Sequence, residues 1–476
     1  MPKRPAKSSP PGPSAHLLRS QFAPSELHQR FLTLFSPALI LAWLKDCPAD
    51  FRQRLFTPLI TLWCMIFQRL AHDHSLSAVV ADAHLGRADA LSPEGKMLSR
   101  RIKSTATTSF SDARQRLPLP LLHSALAHTA REIRAGAKSD GWKGWNVVLL
   151  DGSTVRLRSL GDIPKVFHPH RSSHGVTYWC LMRVVAGFCL QTGVAVATAM
   201  ASASVGEQAL AIPLLARLGP KSLVVADRNF GIFSVVQAAL DASAQVVIRL
   251  TAARARKLAR DNGCILPRQL DRPARWTASR HDKVNAESPH QTVAGRLLVC
   301  PVDRRGFRPQ AIYLFTTLTD DSLHTPADLL ALYGRRWQVE LDLRFVKTEM
   351  ELGALECKSA EMARKEWVAG LLAYNLIRSL MVAAGARANL SIRGLSFSRT
   401  RQFLEKWFDR HAWHSGDGAA LWHRLVGLVA RCRQPRRRKP RPAEPRAKRY
   451  CKQDFPMLRG SRALARKTLK MRHMQS

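Results

Sequence analysis

The chain has 476 residues, enough for roughly two to four domains and a sizeable core, and its 46% hydrophobic content is that of an ordinary globular protein. Its 74 Lys and Arg against 35 Asp and Glu leave +39 at neutral pH and a pI near 11.1, which points to a polyanionic partner, with nucleic acid the first candidate. A basic membrane-surface protein would need an anchor or lipidation signal that the sequence does not display, and nine scattered cysteines with no Cys-x-x-Cys pair exclude a zinc ribbon and a disulfide scaffold and suit a reduced cytosol.

Taken in order, residues 1–26 are rich in Pro, Ser and Lys and read as a disordered basic arm, not a signal peptide. Residues 27–135 have helical periodicity in FLTLFSPALILAWL, FTPLITLWCMIFQRL and LSAVVADAHL. After the basic bridge of Arg100, Arg101 and Lys103 comes SDARQRLPLPLLHSALAHTAREI, with Ser111 the expected N-cap of one further helix. Arg114 and Arg116 near that start suit a DNA groove, although no helix-turn-helix spacing stands out, and the plain alternative is a helical domain with solvated basic residues.

From Gly144 the period changes. NVVLLDGSTVRL reads as a buried strand that delivers Asp151 to a sheet edge and ends there in a glycine turn. Strands follow near 178–185 and 194–200, then helix GEQALAIPLLARLG, strand SLVVADRNFG ending in Asp227, helix GIFSVVQAALDASA and strand QVVIRL. This alternation predicts an α/β core over 136–250 that resumes at 311–390 with the strand AIYLFTTLT. Carboxyl ends of neighbouring strands converge on one crevice, so Asp151 and Asp227 are expected to meet, although each alone is more simply a turn-former or helix cap.

Between the two core segments, 251–310 are basic and poor in strands until GRLLVCPV, and read as an insertion domain. Its Trp276 is a weak candidate for stacking on an unpaired base, and packing under arginine stems is the plainer reading. The amphipathic EMARKEWVAGLLAYNLIRSLMVAAGA precedes a helical pair over 391–432, and 433–476 form a basic tail. From Arg431 to Ser476 there are 17 Lys and Arg against 2 acids, a run that binds polyanions without sequence specificity. His168, His170 and His174 lack a fourth ligand and read as a polar loop. The longest apolar runs, near 59–67 and 367–386, are too short or are interrupted by Asn375 and Arg378, so neither is expected to span a bilayer.

One stretch organises the rest. LLALYGRRWQVELDLRFVKTEMELG, over 329–353, has no proline and reads as a single helix of about seven turns. At about 100° per residue Tyr333, Arg336, Glu340 and Lys347 share one edge, joined by Arg344, while Asp342 and Glu349 point elsewhere. In isolation such a stripe is a solvated amphipathic face. Here the acid in register is Glu340, flanked by groups suited to phosphate oxygens, as expected of a metal-binding carboxylate beside a nucleic-acid backbone.

The spacing Tyr-x2-Arg-x3-Glu-x6-Lys resembles the signature of bacterial insertion-sequence transposases of the Asp-Asp-Glu (DDE) type. DGSTVRL resembles that family's first-aspartate motif, DRNFG its second, and AYNLIR also looks familial; Asn229 departs from the small residue that usually precedes the aromatic. The resemblance implies an RNase H-like core, a mixed α/β sheet flanked by helices, interrupted by a β-rich insertion that helps hold the DNA end, with an N-terminal helical domain that reads terminal inverted repeats. It implies Asp151, Asp227 and Glu340 as catalytic residues and ligands of two Mg²⁺ ions, Asp151 bridging, with Mn²⁺ as substitute. Tyr333, Arg336 and Lys347 are the implied DNA contacts, with Arg228, Trp337 and Arg344 as weaker candidates. The implied partners are double-stranded DNA, as element ends and as target, and a second copy of the chain in a homodimeric synapse. A cytoplasmic, nucleoid-associated protein without membrane contact is expected. The expected reaction is hydrolysis at the element end and attack of the freed 3′ hydroxyl on target DNA. An inactive transposase-derived regulator and a structure-specific nuclease without strand transfer remain alternatives.

Overall fold

The computed structural model describes residues 26–47, 55–92, 96–137, 141–172, 175–279, 285–302, 310–410 and 418–434, with a few isolated positions besides. The expected basic arm and nearly all of the basic tail lie outside them, as does His174.

Hydroxyl side chains start many of the helices. Ser36, Thr57 and Thr325 each accept a backbone N–H three residues on, at 3.2, 3.3 and 3.2 Å, and begin helices Pro37–Lys45, Pro58–Leu70 and Pro326–Gly334. In each case proline takes the first helical position, where a missing N–H costs nothing. The last helix expected in the N-terminal region is two helices, Thr108–Arg116 and Leu119–Gly136, because Pro118 and Pro120 interrupt the ladder. Ser111 therefore lies inside the first of them and caps nothing.

Among the described residues ten strands form one mixed sheet: β1 (Asn146–Leu157), β2 (Pro169–Ser172), β3 (Gly175–Cys189), β4 (Ala195–Ser202), β5 (Ser222–Ala226), β6 (Gln245–Leu250), β7 (Leu270–Thr277), β8 (Thr292–Val302), β9 (Gln310–Thr316) and β10 (Ala354–Leu355). The central order is β4-β3-β1-β5-β6, with β3 antiparallel to both β1 and β4 while β1, β5 and β6 run parallel. This is the RNase H-like arrangement the motifs imply. Beyond β6 the sheet continues through β9, β8 and β7. The 251–310 segment is therefore less strand-poor and less separate than its sequence suggests: it adds helix Ala252–Asp261 and two strands to the same sheet. Trp276 on β7 meets Phe315 edge-on at 4.9 Å and Phe233 at 6.1 Å, which makes it a packing residue and no base platform.

Alternation along β1 divides the interior into two layers. Val147, Leu149, Val155 and Leu157 face a core shared with the N-terminal helices and with helix Ala360–Ala388, whereas Val148 and Leu150 face helices Glu207–Leu215 and Phe233–Asp241. The 27–135 helices, read from sequence as a domain of their own, thus have no core separate from the sheet.

Helix Ala360–Ala388, capped by Ser359 and ended by Asn389 in the left-handed region, is the longest element among the described residues. By length and composition it matches a membrane span, yet 83% of its apolar window is buried inside the protein. Asn375 uses both ends of its amide on the backbone of Ala195, at 2.8 and 2.9 Å, and so pairs the start of β4. Glu366 receives ion pairs from Arg69 and Arg114 of two different N-terminal helices. Arg114, which the sequence offered to a DNA groove, is therefore spent inside the fold.

Glu366→Ala is expected to lower stability by about 3–5 kcal/mol, because it strands two guanidiniums that are only 9% and 6% exposed. Chemical denaturation measures this, and a loss below about 1 kcal/mol would show that the triad does not join the layers.

Candidate active site

β1 does not stop at Asp151. It runs on to Leu157, and Gly152 is a strand residue paired with Val185, not the turn its sequence suggests. β5 pairs with β1 only as far as Leu150 and Ala226, and β10 takes up the same edge at Arg156 and Ala354. Asp151 and Asp227 each stand one residue past that last β1–β5 pair, on parallel strands about 4.8 Å apart. The open stretch of edge between β5 and β10 is where the two acids emerge.

The signature segment lies across this opening, but not as one helix. Helix Pro326–Gly334 tightens into a run of i→i−3 bonds: the N–H groups of Arg335, Arg336, Gln338 and Val339 donate to the carbonyls of Leu332, Tyr333, Arg335 and Arg336. An α-helical piece, Gln338–Arg344, follows, and then a π turn, Phe345–Glu349. Tightening and widening change the angular phase of the stripe, so its members are placed by packing more than by a uniform 100° step.

Three of the four signature residues still converge on β1. The Arg336 guanidinium lies between two acids, 2.7 Å from Glu340 and 3.8 Å from Asp151. Lys347 Nζ donates to Ser153 Oγ at 3.0 Å, two residues past Asp151. Tyr333 differs: it is 7% exposed, hydrogen-bonded by the Arg249 side chain and close enough to Asp227 to feel its charge, so its phenol faces inward. Among the weaker candidates, Trp337 is 52% exposed, Arg228 is exposed, and Arg344 is exposed with its guanidinium 5.5 Å from the Phe345 ring.

Burial pushes the Asp151 carboxyl up to about 6, with Asp227 and Glu207 adding repulsion and the Gly152 N–H and Arg336 partly offsetting it. An acid raised in this way penalises folding once it ionises. From its ordinary value near 3.8 up to about 6 the folded chain keeps a proton that the unfolded chain has lost, so stability declines with rising pH across that window. Asp151→Asn is therefore expected to stabilise the metal-free protein at pH 8 by about 1–3 kcal/mol, with the gain vanishing below about pH 4. Thermal unfolding at the two pH values checks this; equal gains at both would mean that ionisation is not the cause.

No three Asp, Glu, His or Cys side chains among the described residues stand close enough to hold a metal ion. The donor set nonetheless fits one. Its members are hard carboxylate oxygens, two of them on adjacent strands, and the positive charge they call for is supplied by the Arg336 guanidinium bridging Asp151 and Glu340.

Two groups escaped the sequence reading. Glu207, in the first turn of helix Glu207–Leu215, extends over Gly152 and holds Asn229 beside Asp227, at 2.6 Å from Asn229 Nδ2. Asp342 is fully buried, where Arg378 and Arg393 bind it at 2.7 and 2.6 Å and Tyr374 lies at 3.1 Å. The departure at Asn229 was the one signal available for the first, and AYNLIR, which supplies Tyr374 and Arg378, for the second.

Residues 142–376 match the protein family described as Transposase DDE domain. The chain is 22% identical over 340 residues, 70% of its own length and 71% of the relative's, to the transposase InsG for insertion sequence element IS4 of Escherichia coli strain K12. It is similar in structure to the piggyBac transposase, determined as a synaptic complex with hairpin DNA, at a TM-score of 0.38 and 10% identity over 88% of each chain.

Proposed function

The chain belongs to the DDE transposases of bacterial insertion sequences, a family that works with divalent metal ions, and from that premise we propose that Asp151, Asp227 and Glu340 are its catalytic acids and hold two Mg²⁺ ions, replaceable by Mn²⁺. The observation that carries this reading is the meeting of three elements at one opening in the sheet: Asp151 and Asp227 one residue beyond the last β1–β5 pair, and Glu340 linked to Asp151 through Arg336.

Bound there, divalent ions supply an activated oxygen nucleophile, neutralise the reacting phosphate and stabilise the departing 3′ oxygen. The residues around them do the rest. Asp151, on a strand braced by β3, is the rigid acid of the set, and Glu340 is the adjustable one, its side chain 58% exposed. Arg336 holds Glu340 and Asp151 until the site fills, and is then free to turn to a DNA phosphate. Lys347, placed over Ser153, and the exposed Arg228, Arg344 and Trp337 line the approach for the backbone of an element end. Tyr333 lies beneath, held by the Arg249 side chain and near enough to Asp227 to feel its charge.

The substrate is double-stranded DNA: terminal inverted repeats for hydrolysis, then target DNA for attack by the freed 3′ hydroxyl at the same site. Two copies of the chain hold two ends in the synapse, in the nucleoid of a bacterial cytoplasm. The test is incubation of a labelled element-end duplex with Mg²⁺ or Mn²⁺, followed by detection of nicked and joined products. Cutting with joining is expected. Cutting without joining would make the protein a structure-specific nuclease, and binding without cutting an inactive regulator.

A further inference from the structure

The segment that carries Asp227 is held from outside its own strand. Asn229 N donates to Asp227 Oδ1 at 2.9 Å, which fixes the carboxylate against the turn that follows β5. Asn229 Nδ2 in turn donates to Glu207 Oε2 at 2.6 Å, and Gln208 Nε2 donates to the Asn229 carbonyl at 2.8 Å and to its Oδ1 at 3.2 Å. Asn229 is thus gripped at side chain and backbone by the first turn of helix Glu207–Leu215.

Glu207 is itself braced. Its carboxyl lies against the backbone of Gly152, where any Cβ would overlap the Glu207 Cδ and Oε1. Gly152 has no left-handed φ and pairs within the sheet, so its missing side chain serves this close approach and no turn. One glutamate therefore touches the residue after the first aspartate and binds the residue two after the second.

We infer that Glu207 and Asn229 are positioning residues that set the placement of Asp227 relative to Asp151. The inference rests on the reading of those two aspartates as metal ligands. Both act through Asp227, which Asn229 binds and Glu207 holds by way of Asn229. Such outer partners orient a ligand that would otherwise swing, and their removal typically costs about 10–100-fold in metal affinity. Both residues lie partly in solvent, so their bonds add little to global stability.

The experiment is Mn²⁺ titration of the full chain without DNA, followed by the electron paramagnetic resonance of free Mn²⁺, with thermal unfolding alongside. Glu207→Ala and Asn229→Ala are each expected to weaken binding by about tenfold, and the double variant no further, because one latch is broken in all three. Glu207→Gln keeps an oxygen for Asn229 Nδ2 and is expected to stay within about twofold of the native protein. Melting temperatures should not move. If Glu207→Gln loses as much as Glu207→Ala while Asn229→Ala binds normally, Glu207 is itself a ligand and the latch is wrong. If the single variants bind Mn²⁺ as the native chain does, the latch is also wrong, although the aspartates retain their role. Asp227→Asn separates the deeper failure: undiminished binding there would overturn the ligand assignment, and the latch with it.

Discussion

Glu340→Gln is expected to lower metal-dependent cleavage of an element-end duplex by about a thousandfold, while end binding stays within about threefold of the native protein. A metal ion contributes several kcal/mol to the stabilisation of a phosphoryl transition state, and each ~1.4 kcal/mol is a factor of ten in rate. Glutamine keeps the length of the side chain and an oxygen for Arg336, so the 2.7 Å contact and the fold around it survive. What it removes is the negative charge that a divalent ion needs. Gel-shift and cleavage assays on one labelled duplex read both quantities. Cleavage at the native rate would show that Glu340 is not the third acid; loss of binding and cleavage together would make it a DNA-contacting or structural residue.

Asp342→Ala should have the larger effect on the fold. Asp342 has no exposed surface, and the Arg378 guanidinium beside it is 2% exposed, so its removal leaves buried positive charge from Arg378 and Arg393 without a counterion. Such a loss costs about 3–5 kcal/mol. It also reaches the active site, because Asp342 is two residues from Glu340 and anchors the short Gln338–Arg344 helix to the Ala360–Ala388 helix. Cleavage should therefore fall even at temperatures where the variant remains folded. Denaturant midpoints and cleavage rates measured on one preparation test both claims; a variant within about 1 kcal/mol of the native protein would remove the buried cluster from the explanation.

How much of this could be read beforehand depended on whether a feature was local. The strand runs before Asp151 and Asp227 are apolar on both faces, as buried parallel strands must be, and this placed the two acids correctly at neighbouring strands. Ser or Thr followed by Pro marks three helix starts with no help from tertiary structure. Gly152 was misread because a glycine after an aspartate looks the same whether it makes a turn or admits a glutamate from another helix. The signature helix was drawn too regular for a similar reason: nothing in its composition marks where packing tightens one turn and widens another. Glu207 had only the indirect signal of Asn229, since a glutamate in a first helical turn already has an ordinary explanation in the helix dipole. For Trp276 packing is the plainer reading from sequence, but under arginine stems; its actual partners, Phe233 and Phe315, lie on elements distant in sequence.

The shared core of the N-terminal helices also bears on how the protein is made. Their apolar faces pack on the sheet and on helix Ala360–Ala388, which ends about 250 residues downstream of the last of them. At ribosomal rates of about 5–20 residues per second, these helices wait some tens of seconds for the surface that covers them. Helix Pro58–Leu70, in which every residue is buried in the finished fold, is the most exposed to that delay. Until that surface is made, the apolar faces of the nascent N-terminal helices have no cover from the sheet or from helix Ala360–Ala388, the condition under which exposed hydrophobic surface favours aggregation.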